Sequence, residues 1–289
     1  MTTALQFSGH VERKNIFTPF GIRFWDPVTN NQILDGLRVT ARPLQGGGTV
    51  KQGVRTASGI YAFHGLSGLH EVEYPKDDSV RNVSPPFARR FIFHVSDNLQ
   101  RFLDAVFTVD LPFRGIYPTD TLNALGNRIP GFYLFSAPTR QSISTWAVVR
   151  AQLVEKTNST ADKPAANAVV EIIEPNNRIW FGIADEEGRV AVMFPYPSFT
   201  GAPNIQLSPP LAKRQQQWRM RVRVRYAPTA LMQPSGSLLP ELRSILNQPR
   251  GMLWANPSTP GNSLATTLTY GEEIIIRTHT QSELWIRAT

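Results

Sequence analysis

The chain of 289 residues contains no cysteine. That excludes a disulfide framework, a thiolate nucleophile and any cysteine-bound zinc. It also favours assembly in a reducing cytosol, because exported small domains usually carry disulfides. Charge is scarce as well: Asp, Glu, Lys and Arg make up 18% of the residues, below the usual quarter. No apolar run approaches the roughly 18 residues that span a bilayer. Residues 1–14 hold no apolar core long enough for a signal peptide. Local catalytic signatures are missing too. There is no Gly-x-Ser-x-Gly, no Ser-x-x-Lys with its companion motifs, and no Lys-Ser/Thr after Gly46-Gly47-Gly48 to make a phosphate loop. His10, His64, His70, His94 and His279 show no metal-ligand spacing. We therefore expect no catalytic residues, no cofactor and no metal.

What is present points to strands. Hydrophobic residues reach 41%, enough for real cores, and the length suits two domains. With 23 prolines and 20 glycines, many turns must separate the strands. Short β-branched and aromatic runs at 22–25, 37–43, 50–55, 60–66, 90–95 and 102–109 are bounded by turn residues. The second half reads alike, with strands at 146–155, 168–174, 179–184, 189–194, 218–226, 272–278 and 284–286. The order strand, polar loop, strand, turn, strand, glycine turn, strand occurs twice, once from 22 and once from 149, so an internal repeat is expected. This gives an all-β chain: a first sandwich over 1–113, a linker over 114–145, and a second sandwich over 146–289. An insertion at 228–262 carries one short helix over 237–248, with Pro240 early and Leu239, Leu242, Ile245 and Leu246 at helical spacing.

The sharpest local feature is the run from Trp218 to Tyr226. On a strand, Trp218, Met220, Val222, Val224 and Tyr226 share one face, and Arg219, Arg221, Arg223 and Arg225 share the other. Four like charges about 7 Å apart repel unless something acidic faces them. The plain reading is an edge or outer strand whose charge discourages pairing. The functional reading is a docking stripe for an acidic neighbour. The net charge of +8 also admits an anionic membrane face. Nucleic acid fits less well, because the aromatics lie opposite the arginines. The acidic pairs Asp77-Asp78 and Glu186-Glu187 read as polar turns rather than as paired catalytic carboxylates.

Two resemblances follow. Residues 168–174 with Gly182-Ile183-Ala184-Asp185-Glu186-Glu187-Gly188-Arg189-Val190 resemble the carboxypeptidase-regulatory or transthyretin-like β-sandwich module, and Thr56-Ala57-Ser58-Gly59-Ile60 is a looser copy. That module is a scaffold and implies an Ig-like or transthyretin-like fold without catalytic residues. The segments Arg89–Val95, Arg101–Phe107, Leu134–Arg140 and Ala147–Leu153 resemble proteins of extracellular contractile injection systems, the phage-tail-like particles. This resemblance implies a structural subunit at the baseplate or its periphery, contacting baseplate, spike, sheath or tube proteins. It also implies assembly in the cytoplasm, followed by release with the particle or docking at a membrane. The competing reading is a carbohydrate- or receptor-binding sandwich, which requires an exposed aromatic cluster drawn from Trp25, Trp180, Trp254 and Trp285. An enzyme would need a pocket of convergent polar groups.

Overall fold

The computed structural model describes residues 18–74, 88–113, 116–122, 128–157, 162–198 and 216–289. It is an all-β protein, with two short α-helices among the described residues. His10 and the Asp77-Asp78 pair lie outside them.

The strand pairing repeats, as the two sequence halves suggest. In the first half, β1 (Gly21–Ile22), β2 (Phe24–Asp26), β3 (Leu37–Pro43), β4 (Lys51–Gln52), β5 (Tyr61–Ala62), β6 (Arg89–Asp97), β7 (Ala105–Leu111) and β8 (Phe132–Tyr133) follow one another. One sheet has the order β4-β3-β6-β7. Opposite it, β1 pairs antiparallel with β5, and β8 pairs parallel with β2. In the second half the strands are β9 (Trp146–Glu155), β10 (Val169–Ile173), β11 (Ile179–Ile183), β12 (Arg189–Pro195), β13 (Gln217–Arg225), β14 (Leu264–Thr269) and β15 (Ile274–Ile276). One sheet again has the order β11-β10-β13-β14. Opposite it, β9 pairs antiparallel with β12 and parallel with β15. The same partner scheme is thus drawn twice, although few identities align between the halves. Short strands Met252–Asn256 and Leu284–Arg287 extend the β9 sheet.

Alternation builds each core. Leu37, Val39 and Ala41 of β3 point inward with Phe91, Phe93 and Val95 of β6 and Phe107 and Val109 of β7. The second core gathers Val149, Leu153, Val170, Ile172, Val190, Val192, Met220, Val222 and Val224. The stretch read as a linker is not idle. Phe132, Leu134 and Phe135 pack on the first core, and Trp146 packs with Val28, Val148 and Met193 between the halves.

Val169–Ile173 is buried at all five positions, which alternation on a one-sided sheet cannot produce. On its second face the insertion covers Val169, and Arg225 meets Glu171. Helix α1 (His70–Glu73) lies in the first half, and α2 (Leu242–Leu246) lies in the insertion. Leu242 and Ile245 of α2 join Val169 and Ile183 from the second half in the same apolar cluster as the first core. Helix α2 is shorter than the 237–248 expected from spacing. Pro240 has no N–H to give, and Ser237 Oγ turns the preceding residues by donating to the Leu239 carbonyl at 2.8 Å.

The Asp185–Gly188 turn is a tight hairpin, as its residues indicate. Asp185 Oδ1 accepts from the Glu187 and Arg189 amides at 3.1 and 2.8 Å, and Gly188 has φ +78°. A Cβ at Gly188 would lie 2.3 Å from the Leu153 carbonyl oxygen. We expect Gly188→Val to cost about 1–3 kcal/mol, since backbone would have to move. Chemical denaturation checks this, and an unchanged midpoint would refute it.

Candidate docking surface

The outer faces of the two equivalent four-stranded sheets look toward each other across α2. From the first sheet come Ile92 and Val106, both buried although they lie on the face opposite the core. From the second come Val169 and Ile183. Glu241, just before α2, ties the insertion to β7: its Oε1 accepts from Thr108 N at 3.3 Å and Thr108 Oγ1 at 2.7 Å. Gln248, just after α2, accepts from Ala227 N at 2.8 Å and donates to the Asn167 carbonyl at 2.8 Å. Beside α2 the junction leaves a cavity of about 620 Å³, walled by Ile92, Val106, Ile183, Leu239, Leu242 and Ile245. Among its polar groups, His94 meets Asp104 at 3.3 Å, Asp185 is held by the Glu187 and Arg189 amides, and Ser237 is bonded as described above.

The arginine stripe lies on the same outer face of the second sheet. Met220, Val222 and Val224 are buried in the core beneath it. β13 is not an edge, which corrects that part of the plain reading. β10 flanks it on one side and β14 on the other. The four arginines divide into two kinds. Arg225 is structural: its Nε lies 2.5 Å from Glu171 Oε1, and its NH1 donates to the Leu246 carbonyl at 3.2 Å, tying α2 to the sheet. Glu171 is buried, and its Oε2 has no hydrogen-bond partner among the described residues. Arg223, Arg221 and Arg219 sit progressively farther from the junction along β13. Among the described residues they make no hydrogen bond or ion pair, and Arg219 and Arg221 are exposed.

Neighbouring strands complete the face. Register places Phe181, Glu171 and Arg223 in one row, and Ile179, Ile173 and Arg221 in the next. Ile179 and Phe181 are 39% and 36% exposed, so an apolar strip borders the cations. On the other side, Thr267 lies opposite Arg219 and Ala265 opposite Arg221. At the end of β13 the chain turns inward. The Tyr226 hydroxyl donates to Glu155 Oε2 at 3.0 Å, and burial with that carboxylate raises the phenol's pKa far above its ordinary value.

The four tryptophans do not form a platform. Trp180 belongs to the second core and donates Nε1–H to Glu174 Oε1. Trp254 is buried, and Trp25 and Trp285 are half-buried, with Lys156 Nζ 3.9 Å from the Trp285 ring centre. The aromatic cluster that is present was not among them: Tyr196 stacks on Trp218 at 5.6 Å and tilts against Tyr270 at 4.6 Å. Tyr196 lies far from the other two in sequence, so only folding unites them.

No protein-family model matches this chain, and the search of curated proteins finds no relative, so the site rests on its own geometry.

Proposed function

We propose that this chain is a non-catalytic structural subunit of a contractile, phage-tail-like particle, at the baseplate or its periphery. In this reading it acts by being held between other subunits. One observation carries the docking role: Arg219, Arg221 and Arg223, which make no ion pair among the described residues, form a cationic row beside exposed Ile179 and Phe181. Like charges held at fixed spacing on a rigid sheet are self-repulsive, and an acidic partner surface relieves that. Arginine suits this role because its planar fork holds a carboxylate by two bonds. The particle itself is supported by the sequence resemblance alone. An enzyme role finds less support, since the sandwich module that the sequence resembles is a scaffold without catalytic residues. Cytoplasmic assembly, and later release or membrane docking, belong to the same proposal. Among the described residues no helix is long and apolar enough to cross a membrane.

A second reading, a carbohydrate- or receptor-binding module, keeps one point in its favour: the Tyr196–Trp218–Tyr270 cluster, with Tyr270 half-exposed.

The test is co-sedimentation. The wild-type chain is expected to pellet with large tubular assemblies from a lysate that expresses the neighbouring genes. Reversing Arg219, Arg221 and Arg223 to Glu should release it to the supernatant while leaving the thermal midpoint within a few degrees. Sedimentation of the reversed variant equal to wild type would overturn the docking role.

A further inference from the structure

The arginine face ends at an open strand edge. β14 (Leu264–Thr269) pairs with β13 on one side, and among the described residues no strand pairs with its other side. The hydrogen-bonding phase follows from one bond: the Tyr270 amide donates to the Gln216 carbonyl at 2.9 Å, in register with the β13–β14 ladder. In an antiparallel ladder the bonded pairs alternate. Leu264, Thr266 and Leu268 therefore bond to β13, while the N–H and C=O groups of Ala265 and Thr267 point away from it, to the free side. The devices that normally blunt an edge are missing here. Leu-Ala-Thr-Thr-Leu-Thr holds no charge, no proline and no bulge.

The same two residues place their side chains on the arginine face. Ala265 is opposite Arg221 and Thr267 is opposite Arg219, and both are exposed and small. A strand added to this edge would set every second side chain in a row with Ala265 and Thr267. Those positions lie about 10 Å from the arginine backbone, two strand spacings away. An extended arginine and a facing glutamate span that distance over a small residue. An acidic side chain there would neutralise Arg219 and Arg221, which have no partner within the chain's described residues.

We propose that the β14 edge receives an extended acidic segment of another protein as a fifth strand, with carboxylates at alternate positions paired to Arg219 and Arg221. Main-chain bonds to Ala265 and Thr267 supply affinity, and the arginines supply register and choice of partner. The proposal rests on the docking role above and specifies its partner.

The experiment uses the full chain and two fluorescent ten-residue peptides. One alternates Glu with Val or Thr; the other has the same sequence, with every backbone amide that would donate to β14 N-methylated, so its charges are kept and its strand donors are removed. Three proteins are compared by anisotropy: wild type, R219E/R221E, and T267P. The outward direction of the Thr267 amide means that proline removes an edge donor and no bond to β13, so T267P is expected to keep the wild-type thermal midpoint. Wild type should bind the alternating peptide and ignore its N-methylated counterpart. Each variant should lose roughly tenfold or more in affinity, the equivalent of one charge-assisted pair or one strand bond. Equal binding of both peptides, or T267P that folds and binds like wild type, would reduce the contact to plain charge attraction and overturn strand addition, with the docking role left standing. Binding unaffected by R219E/R221E, together with unchanged co-sedimentation of the reversed chain, would remove both.

Discussion

Arg140→Ala should destabilise the protein by about 3–5 kcal/mol, lowering the thermal midpoint by roughly 10 °C or more. The guanidinium is buried between the halves and clamps the Asp26 carboxylate, NH1 to Oδ1 at 3.1 Å and NH2 to Oδ2 at 2.6 Å. It also donates to Ser136 Oγ at 3.0 Å and lies between the Phe102 and Trp146 rings, 4.8 and 4.9 Å from their centres. Asp26 in turn fixes its own turn by accepting from Val28 N and Thr29 Oγ1. Removing the cation leaves a desolvated carboxylate whose other two donors are neutral. That is the costly way to break a buried pair, and it strikes where Val28 meets Val148 and Met193. Arg140→Lys keeps a charge and loses the fork, so a smaller loss is expected. Differential scanning calorimetry of both variants provides the measurement. A midpoint for Arg140→Ala within about 2 °C of wild type would show that the pair contributes little, as exposed pairs do.

Phe93→Ala should cost a comparable 3–5 kcal/mol or so, for a different reason. Phe93 is fully buried, and its ring centre lies 4.4 Å from that of Phe20, 5.1 Å from Phe63 and 5.3 Å from Phe107. Truncation removes the shared partner of three rings and opens a cavity that β-sheet backbones close only in part. The effect should spread. Leu242 and Ile245, with Val169 and Ile183, belong to the same apolar cluster, so the two halves are joined by α2 rather than merely tethered. Hydrogen exchange in Phe93→Ala is expected to rise in Val169–Ile183 as well as in the first-half strands. Faster exchange confined to the first half would contradict that coupling.

Much of the strand plan was legible because its signals are local. Leu37–Pro43 and Trp146–Glu155 have the bounds that alternation suggested. Asp-Glu-Glu-Gly closes a hairpin because a carboxylate and a positive φ do so in any context. The arginine face was legible for the same reason: period two assigns faces without knowledge of neighbours. Other elements gave weak signals. Leu264–Thr269 is a six-residue, threonine-rich strand next to an insertion, and its sequence does not distinguish it from loop. Val50–Arg55 read as one run, yet it splits into two strands on different sheets around Gly53, where a Cβ would press on Phe63 at 2.7 Å. Segment 114–145 looked like a linker because its prolines and glycines hide the core residues Phe132, Leu134 and Phe135 and the buried Arg140.

By itself the sequence determined the class, the repeat and the row of arginines, since each follows from backbone preference and side-chain period over a few residues. Only the tertiary structure decided which of those arginines have a partner among the described residues. Arg225 is spent on Glu171 and the end of α2, whereas Arg219 and Arg221 are exposed beside a strand edge that no described strand pairs. The division arises because burial and pairing depend on segments from 21 to 54 residues away, brought together by cores whose contacts no local pattern encodes.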